Sequence, residues 1–104
     1  MKFPFEEVMY LKDFIQYRNR QVSSRILFSN ETMDMILYAL DEEESISTES
    51  STRNKFFLVL DGELKVLTAT DSYIVSTGQS LSIEKGKKHS IEAVDKCKYI
   101  QFNL

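Results

Sequence analysis

The chain is poor in the residues that most often announce chemistry or covalent constraint. It has one cysteine, one histidine and three glycines among 104 residues. A single cysteine, Cys97, has no intrachain partner, so no internal disulfide is expected. Cys97 therefore reads as a small strand residue rather than a nucleophile, in a chain expected to be cytoplasmic. No apolar run is long enough to span a bilayer, and acidic residues stand near the start, at Glu6 and Glu7, where a signal peptide needs an apolar stretch. No membrane partner is expected. Basic clusters are also absent beyond Lys85–Lys88, which Gly86 interrupts, and the formal net charge is -3. Nucleic acid needs a basic face, so it is excluded as a partner.

Helical periodicity is nearly absent too. Only Glu6 to Tyr17 carries it, through Val8, Leu11, Phe14 and Ile15, and predicts a helix of one or two turns. From Val22 onward the period is two. Strands are predicted over Val22–Phe28, Met33–Leu40, Lys55–Leu60, Glu63–Thr68, Tyr73–Val75, Leu81–Ile83, Ser90–Val94 and Lys98–Leu104. Asp41–Glu44 reads as a solvated acidic loop, because like charges repel and prefer water. Ser45–Asn54 reads as a polar loop. Asp61-Gly62, set between two alternating runs, predicts a tight hairpin, and Cys97 is placed in a last hairpin. Eight or nine short strands with almost no helix predict an all-β sandwich or small barrel. The expected organisation is an N-terminal arm over residues 1–21 and a β domain over 22–104.

The stretch from Gly78 to His89 organises the rest: a turn, a short strand, a second turn at Gly86, then the sole histidine at the head of another strand. Gly78, Gly86 and His89, with Glu84 and Ala93 at the flanking positions, resemble the second sequence motif of the cupin family. Glu84 stands where that motif has proline, and Ala93 where it has asparagine. The first cupin motif can be laid on Glu43 through Gly62 without gaps, although only Gly62 matches it. Leu58-Val59-Leu60-Asp61-Gly62-Glu63 is similar to the same phrase in small single-domain cupins. The resemblance covers Val22 to Leu104 and implies a double-stranded β-helix, the jelly-roll barrel.

In metal-binding cupins two histidines, a glutamate and a third histidine converge on one divalent ion. The resemblance places Glu49, Ser51, Lys55 and His89 at those positions. Such a site needs about three N, O or S ligands. His89 qualifies and Glu49 is the other candidate, whereas a Lys55 ammonium at about 4 Å would repel a cation by about 1–4 kcal/mol. The ligand set reads as dismantled, so no cofactor is expected. Glu49 and Lys55 are instead expected to pair where the ion would sit. His89 reads either as a hydrogen-bonded wall residue or as a proton donor near neutral pH. Tyr17, Tyr38, Tyr73 and Phe57 read as core aromatics that are also able to line a pocket. The ligand-binding candidates are His89, Glu49, Lys55, Ser51, Phe57 and Tyr38, with no catalytic group assigned.

Alternation adds one more expectation. If Lys55 points inward, Phe57 and Val59 do as well, leaving Phe56, Leu58 and Leu60 outward. Three large apolar side chains on an outer face need a cover; the short N-terminal helix is one candidate, and a homodimer is the expected one. Three functions compete: a non-catalytic cupin holding a small polar ligand; a metal-dependent cupin isomerase, decarboxylase or dioxygenase acting on a small metabolite; and a sensory cupin working through a protein partner.

Overall fold

The computed structural model describes residues 3–104, the side chain of Thr48 excepted; the first two residues of the expected arm lie outside it. Among these residues one 3-10 turn (Leu11–Phe14) precedes nine strands: β1 (Val22–Ser29), β2 (Asp34–Leu40), β3 (Ser45–Glu49), β4 (Lys55–Asp61), β5 (Glu63–Thr68), β6 (Ser72–Ser76), β7 (Ser80–Ile83), β8 (His89–Ala93) and β9 (Cys97–Asn103). They form two sheets, a five-stranded one ordered β1-β2-β9-β4-β7 and a four-stranded one ordered β3-β8-β5-β6. All pairings are antiparallel. The all-β architecture expected from strand spacing, and the jelly roll implied by the resemblance, are the fold observed.

The period-two alternation does the folding work. On β4, Lys55, Phe57 and Val59 are buried while Phe56, Leu58 and Leu60 are only half-buried, so the inward set is the one alternation predicts. Leu64 and Val66 on β5, Ile91 and Ala93 on β8, and Cys97 and Tyr99 on β9 meet them between the sheets. Burying each large apolar side chain here contributes about 1.5–3 kcal/mol.

Four local expectations are corrected. The N-terminal helix is only the 3-10 turn at Leu11–Phe14, after which Ile15 is already extended. A helix this short has little stability of its own. An extended path lets Phe3, Leu11, Phe14, Ile15 and Tyr17 all lie on the outer face of the five-stranded sheet, against Leu27, Leu37, Ala39 and Ile100. Polar clamps hold the arm there: Tyr17 Oη donates to Asp61 Oδ2 (2.7 Å), Arg25 Nη1 to the Phe14 carbonyl (2.7 Å) and Lys98 Nζ to the Lys12 carbonyl (2.7 Å).

The second correction concerns Ser45–Asn54, whose first half is β3 rather than loop. Its Ser and Thr suit an edge strand, and pairing with β8 satisfies its backbone. Third, Asp61-Gly62 is not a hairpin. β4 and β5 lie in different sheets, so this corner carries the chain from one to the other. Gly62 has φ +80 there, and a Cβ on it would stand 1.8 Å from the Lys96 carbonyl oxygen. The connection before Cys97 likewise joins β8 to β9 across the two sheets, so Cys97 lies in no hairpin. Fourth, the acidic run is not wholly solvated. Asp41 is buried, and its carboxylate accepts from the Arg20 amide (2.6 Å) and the Glu42 amide (2.9 Å). Those two bonds, Arg20's first, hold its carboxyl below the usual carboxylate range.

Candidate functional site

Pairing between β3 and β8 sets Glu49 directly opposite His89. Cross-strand partners of this kind bring their side chains together on one face. Lys55, the first residue of β4, reaches across from the other sheet. Its Nζ lies 2.5 Å from Glu49 Oε1 and 3.2 Å from His89 Nε2. The ammonium is enclosed, with only 6% of the Lys55 side chain exposed, whereas Glu49 is 44% exposed and stands at the mouth. Three of the four positions implied by the motif thus meet at one point, with a cation at its centre.

The turn before β8 fixes the imidazole. Gly86, at φ +82, allows a tight reversal, and its amide donates to the Ser51 carbonyl at 2.7 Å. The turn is also held by the Lys85 amide, which donates to Asn54 Oδ1 at 2.8 Å. The carbonyl of Lys87 then lies 2.9 Å from His89 Nδ1. His89 is 2% exposed and meets Phe57 edge-to-face, with ring centroids 6.3 Å apart.

Ser51 is not brought into this cluster. Its hydroxyl accepts from the Arg53 amide at 3.1 Å, making it a turn residue of the β3–β4 connection. Tyr38 belongs to the interior, stacked on Tyr99 at 5.0 Å. Tyr17 serves the arm, and Tyr73 lies on β6 in the four-stranded sheet. Two interior residues were missed by sequence reasoning, Tyr99 and Gln101. Their signal is the inward alternation Cys97, Tyr99, Gln101 on β9, which becomes informative only once β9 is known to pair with β4.

Tyr99 is the odd member. Its ring packs edge-on to Phe57 at 5.7 Å, yet its hydroxyl is buried and, among the described residues, has no hydrogen-bond partner. Burial pushes this phenol well above its ordinary value, with Tyr38, Cys97 and Glu49 adding to the effect. Burial also raises Tyr38, again with help from the Glu49 charge. Glu49 therefore acts electrostatically on both phenols. A surface groove of about 520 Å³ between the arm and β1 lies elsewhere, lined by Asp13, Phe14, Arg18 and Ser24 among others. It lies outside the barrel and takes in none of the motif positions, so the interior cluster is the stronger candidate site.

The family profile described as "Cupin domain" matches residues 36–101, more than half of the chain. The chain belongs to the cupin family. Solved cupins superpose closely. A cupin superfamily protein from Desulfitobacterium hafniense aligns with a TM-score of 0.95 at 24% identity, covering 100% of this chain and 95% of that one. A conserved protein of unknown function from Streptococcus pyogenes gives 0.94 at 20% identity, covering 100% and 91%. A putative ethanolamine utilization protein Q from Salmonella typhimurium gives 0.71 at 18% identity, covering 79% and 68%. At these identities the likeness shows the fold alone. A search of curated proteins finds no significant match.

Many cupins hold a divalent ion, so this cupin's donor set must be tested against one. It does not fit. Among the described residues no three His, Cys, Asp or Glu side chains gather into a metal-ligating group. The lone pair of His89 Nε2 and an oxygen of Glu49, the two donors present, both face Lys55 Nζ. A dication would have to displace an ammonium that the fold encloses, at a site still short of a ligand.

Proposed function

We propose that this cupin binds a small polar ligand in its barrel without a resident metal ion and does not run the metal-dependent chemistry found elsewhere in the family. One observation carries the reading: Lys55 Nζ lies between Glu49 Oε1 and His89 Nε2, where the motif's ligands converge. A fixed positive charge among aromatic walls is a recognition element, because an enclosed ammonium orients an acceptor group strongly. The cluster contains no nucleophile with an adjacent base, since Cys97 lies apart from it and Ser51 is spent on its turn.

The same reading includes a homodimer. The arm covers the outer sheet face as far as Leu60 and Phe102, leaving Phe56 and Leu58 half-buried beyond it. A second copy seated there would complete the cover.

Equilibrium dialysis against iron, manganese, nickel and zinc, followed by elemental analysis, tests the metal-free reading. The expected result is no stoichiometric metal. About one equivalent per chain would overturn the reading and favour a metal-dependent isomerase, decarboxylase or dioxygenase. Sedimentation at micromolar concentration tests the dimer, and a monomer mass would remove it.

A further inference from the structure

The ammonium of Lys55 carries three N–H donors, and among the described residues only two acceptors meet it, Glu49 Oε1 and His89 Nε2. A second donor lies in the same interior: the Tyr99 hydroxyl, buried and, among the described residues, without a partner. Buried polar groups are nearly always satisfied, so an ammonium with a donor to spare marks a place able to take an additional acceptor. Tyr99 is tied to the cluster through Phe57, whose ring touches both Tyr99 and His89.

Glu49 differs from the other members. Its side chain is 44% exposed, and β3 is an edge strand whose register slips between Ile46 and Glu49. It can turn out to solvent without dismantling the interior. The site's surroundings favour an anion as well. The turn leading to His89 presents Lys85, Lys87 and Lys88, all exposed, against the single acid Glu84, in a chain of net charge -3. Such a local reversal of sign draws anions towards the mouth.

Resting on the reading of the barrel as a metal-free ligand site, we propose that the Glu49 carboxylate is an internal stand-in for the carboxylate of a small monocarboxylate ligand, which takes its place on Lys55 when Glu49 swings outward. The ligand is small because the ammonium is enclosed, with only 6% of the Lys55 side chain exposed. His89 stays in place as an acceptor of Lys55. A tethered carboxylate competes at high effective concentration, so the wild-type protein binds the free one weakly.

The sole histidine gives one imidazole signature in a proton NMR spectrum, a direct reporter on this site. Wild type, Glu49→Ala and Lys55→Met are titrated with sodium acetate, with sodium chloride at matched ionic strength as control. A saturable shift is expected in wild type, half-saturation at about tenfold lower acetate in Glu49→Ala, and no saturable shift in Lys55→Met. If Glu49→Ala does not fold, Glu49→Gln keeps the side-chain volume and is expected to move the same way. An acetate response that only tracks chloride in the Glu49 variants, or binding no tighter than wild type, overturns the proposal. If neither variant folds, wild type decides, and the absence of a saturable response there overturns it as well. Metal uptake, read separately by elemental analysis, would instead sink the metal-free reading on which it rests.

Discussion

Lys55 Nζ lies 3.2 Å from Nε2 of His89, and in this pair the lysine donates. The direction follows from the other side of the ring. His89 Nδ1 faces the Lys87 carbonyl oxygen at 2.9 Å, and a carbonyl can only accept. The network therefore assigns the imidazole proton to Nδ1 and leaves the Nε2 lone pair for Lys55. An imidazole ligating a metal is oriented in the same way, with one nitrogen anchored by an acceptor and the other aimed at the cation. This cupin keeps that arrangement and supplies the cation from its own opposite sheet. A tethered ammonium cannot exchange and offers no open coordination position.

That relationship predicts a gain of function. Lys55→Glu removes the ammonium and brings a second carboxylate beside Glu49 and His89. Without metal, two carboxylates so close repel and the variant melts below wild type. With zinc or manganese the new carboxylate joins Glu49 and His89 as a third ligand, and its melting temperature rises with metal concentration while that of wild type does not. Thermal melts with and without metal check this. Equal metal responses in the two proteins would show that Lys55 is not what closes the site.

Much of this architecture was legible in the chain. Alternation on Lys55–Leu60 placed Lys55, Phe57 and Val59 inward, and the turn at Gly86 placed His89 at a strand start. What stayed hidden depends on long-range register. Tyr99 faces the interior because β9 runs between β2 and β4, a pairing that nothing near Tyr99 announces. Asp61-Gly62 shows the same limit. Local sequence says that the chain turns there, but whether it pairs with itself or changes sheet is decided by the Lys96–Cys97 backbone packed against Gly62. The buried Asp41 was masked by its neighbours, since an acid bound to two amides and an acid in water look alike in sequence.

The sheet-changing corner makes Gly62 the least replaceable of the glycines. Gly62→Ala forces a methyl into the Lys96 carbonyl and also requires an alanine at φ +80, so a loss of about 3 kcal/mol or more is expected. Gly78 and Gly86 have φ +85 and +82 but open space around the missing Cβ. Alanine at either site carries only the backbone penalty, roughly 1–2 kcal/mol. Urea midpoints for the three variants measure the difference. Comparable losses at all three would mean that backbone conformation, not the close approach, makes Gly62 necessary.

Cys97 offers a chemical test of the core. Its side chain is fully buried, and burial first, then the charges of Asp61 and Asp95, push the thiol up to about 12. At pH 8 the folded protein therefore holds almost no thiolate at this position, and reagents that need one react only through unfolding. Labelling with a disulfide reagent is expected to be slow in buffer and complete within mixing time in denaturant. Rapid modification of the folded chain would contradict the packing of β9 against the opposite sheet.

Asp41 sets part of the acid limit of stability. Its folded carboxyl is held below the ordinary 3.8, first by the Arg20 amide and then by the Glu42 amide. For a group whose folded value is depressed, the contribution to stability is complete above the unfolded value and is lost as pH falls through the folded one. Asp41 therefore stabilises the junction between arm and barrel fully at neutral pH and loses that role below about pH 4. Asp41→Asn removes the titration while keeping the shape. The variant is expected to be less stable than wild type at pH 7, because a neutral amide accepts more weakly from the two backbone donors, and the gap is expected to close as pH falls towards 3. Denaturant midpoints of both proteins across that range measure the gap. A difference constant with pH would mean that Asp41 acts through packing at the end of β2, not through its charge.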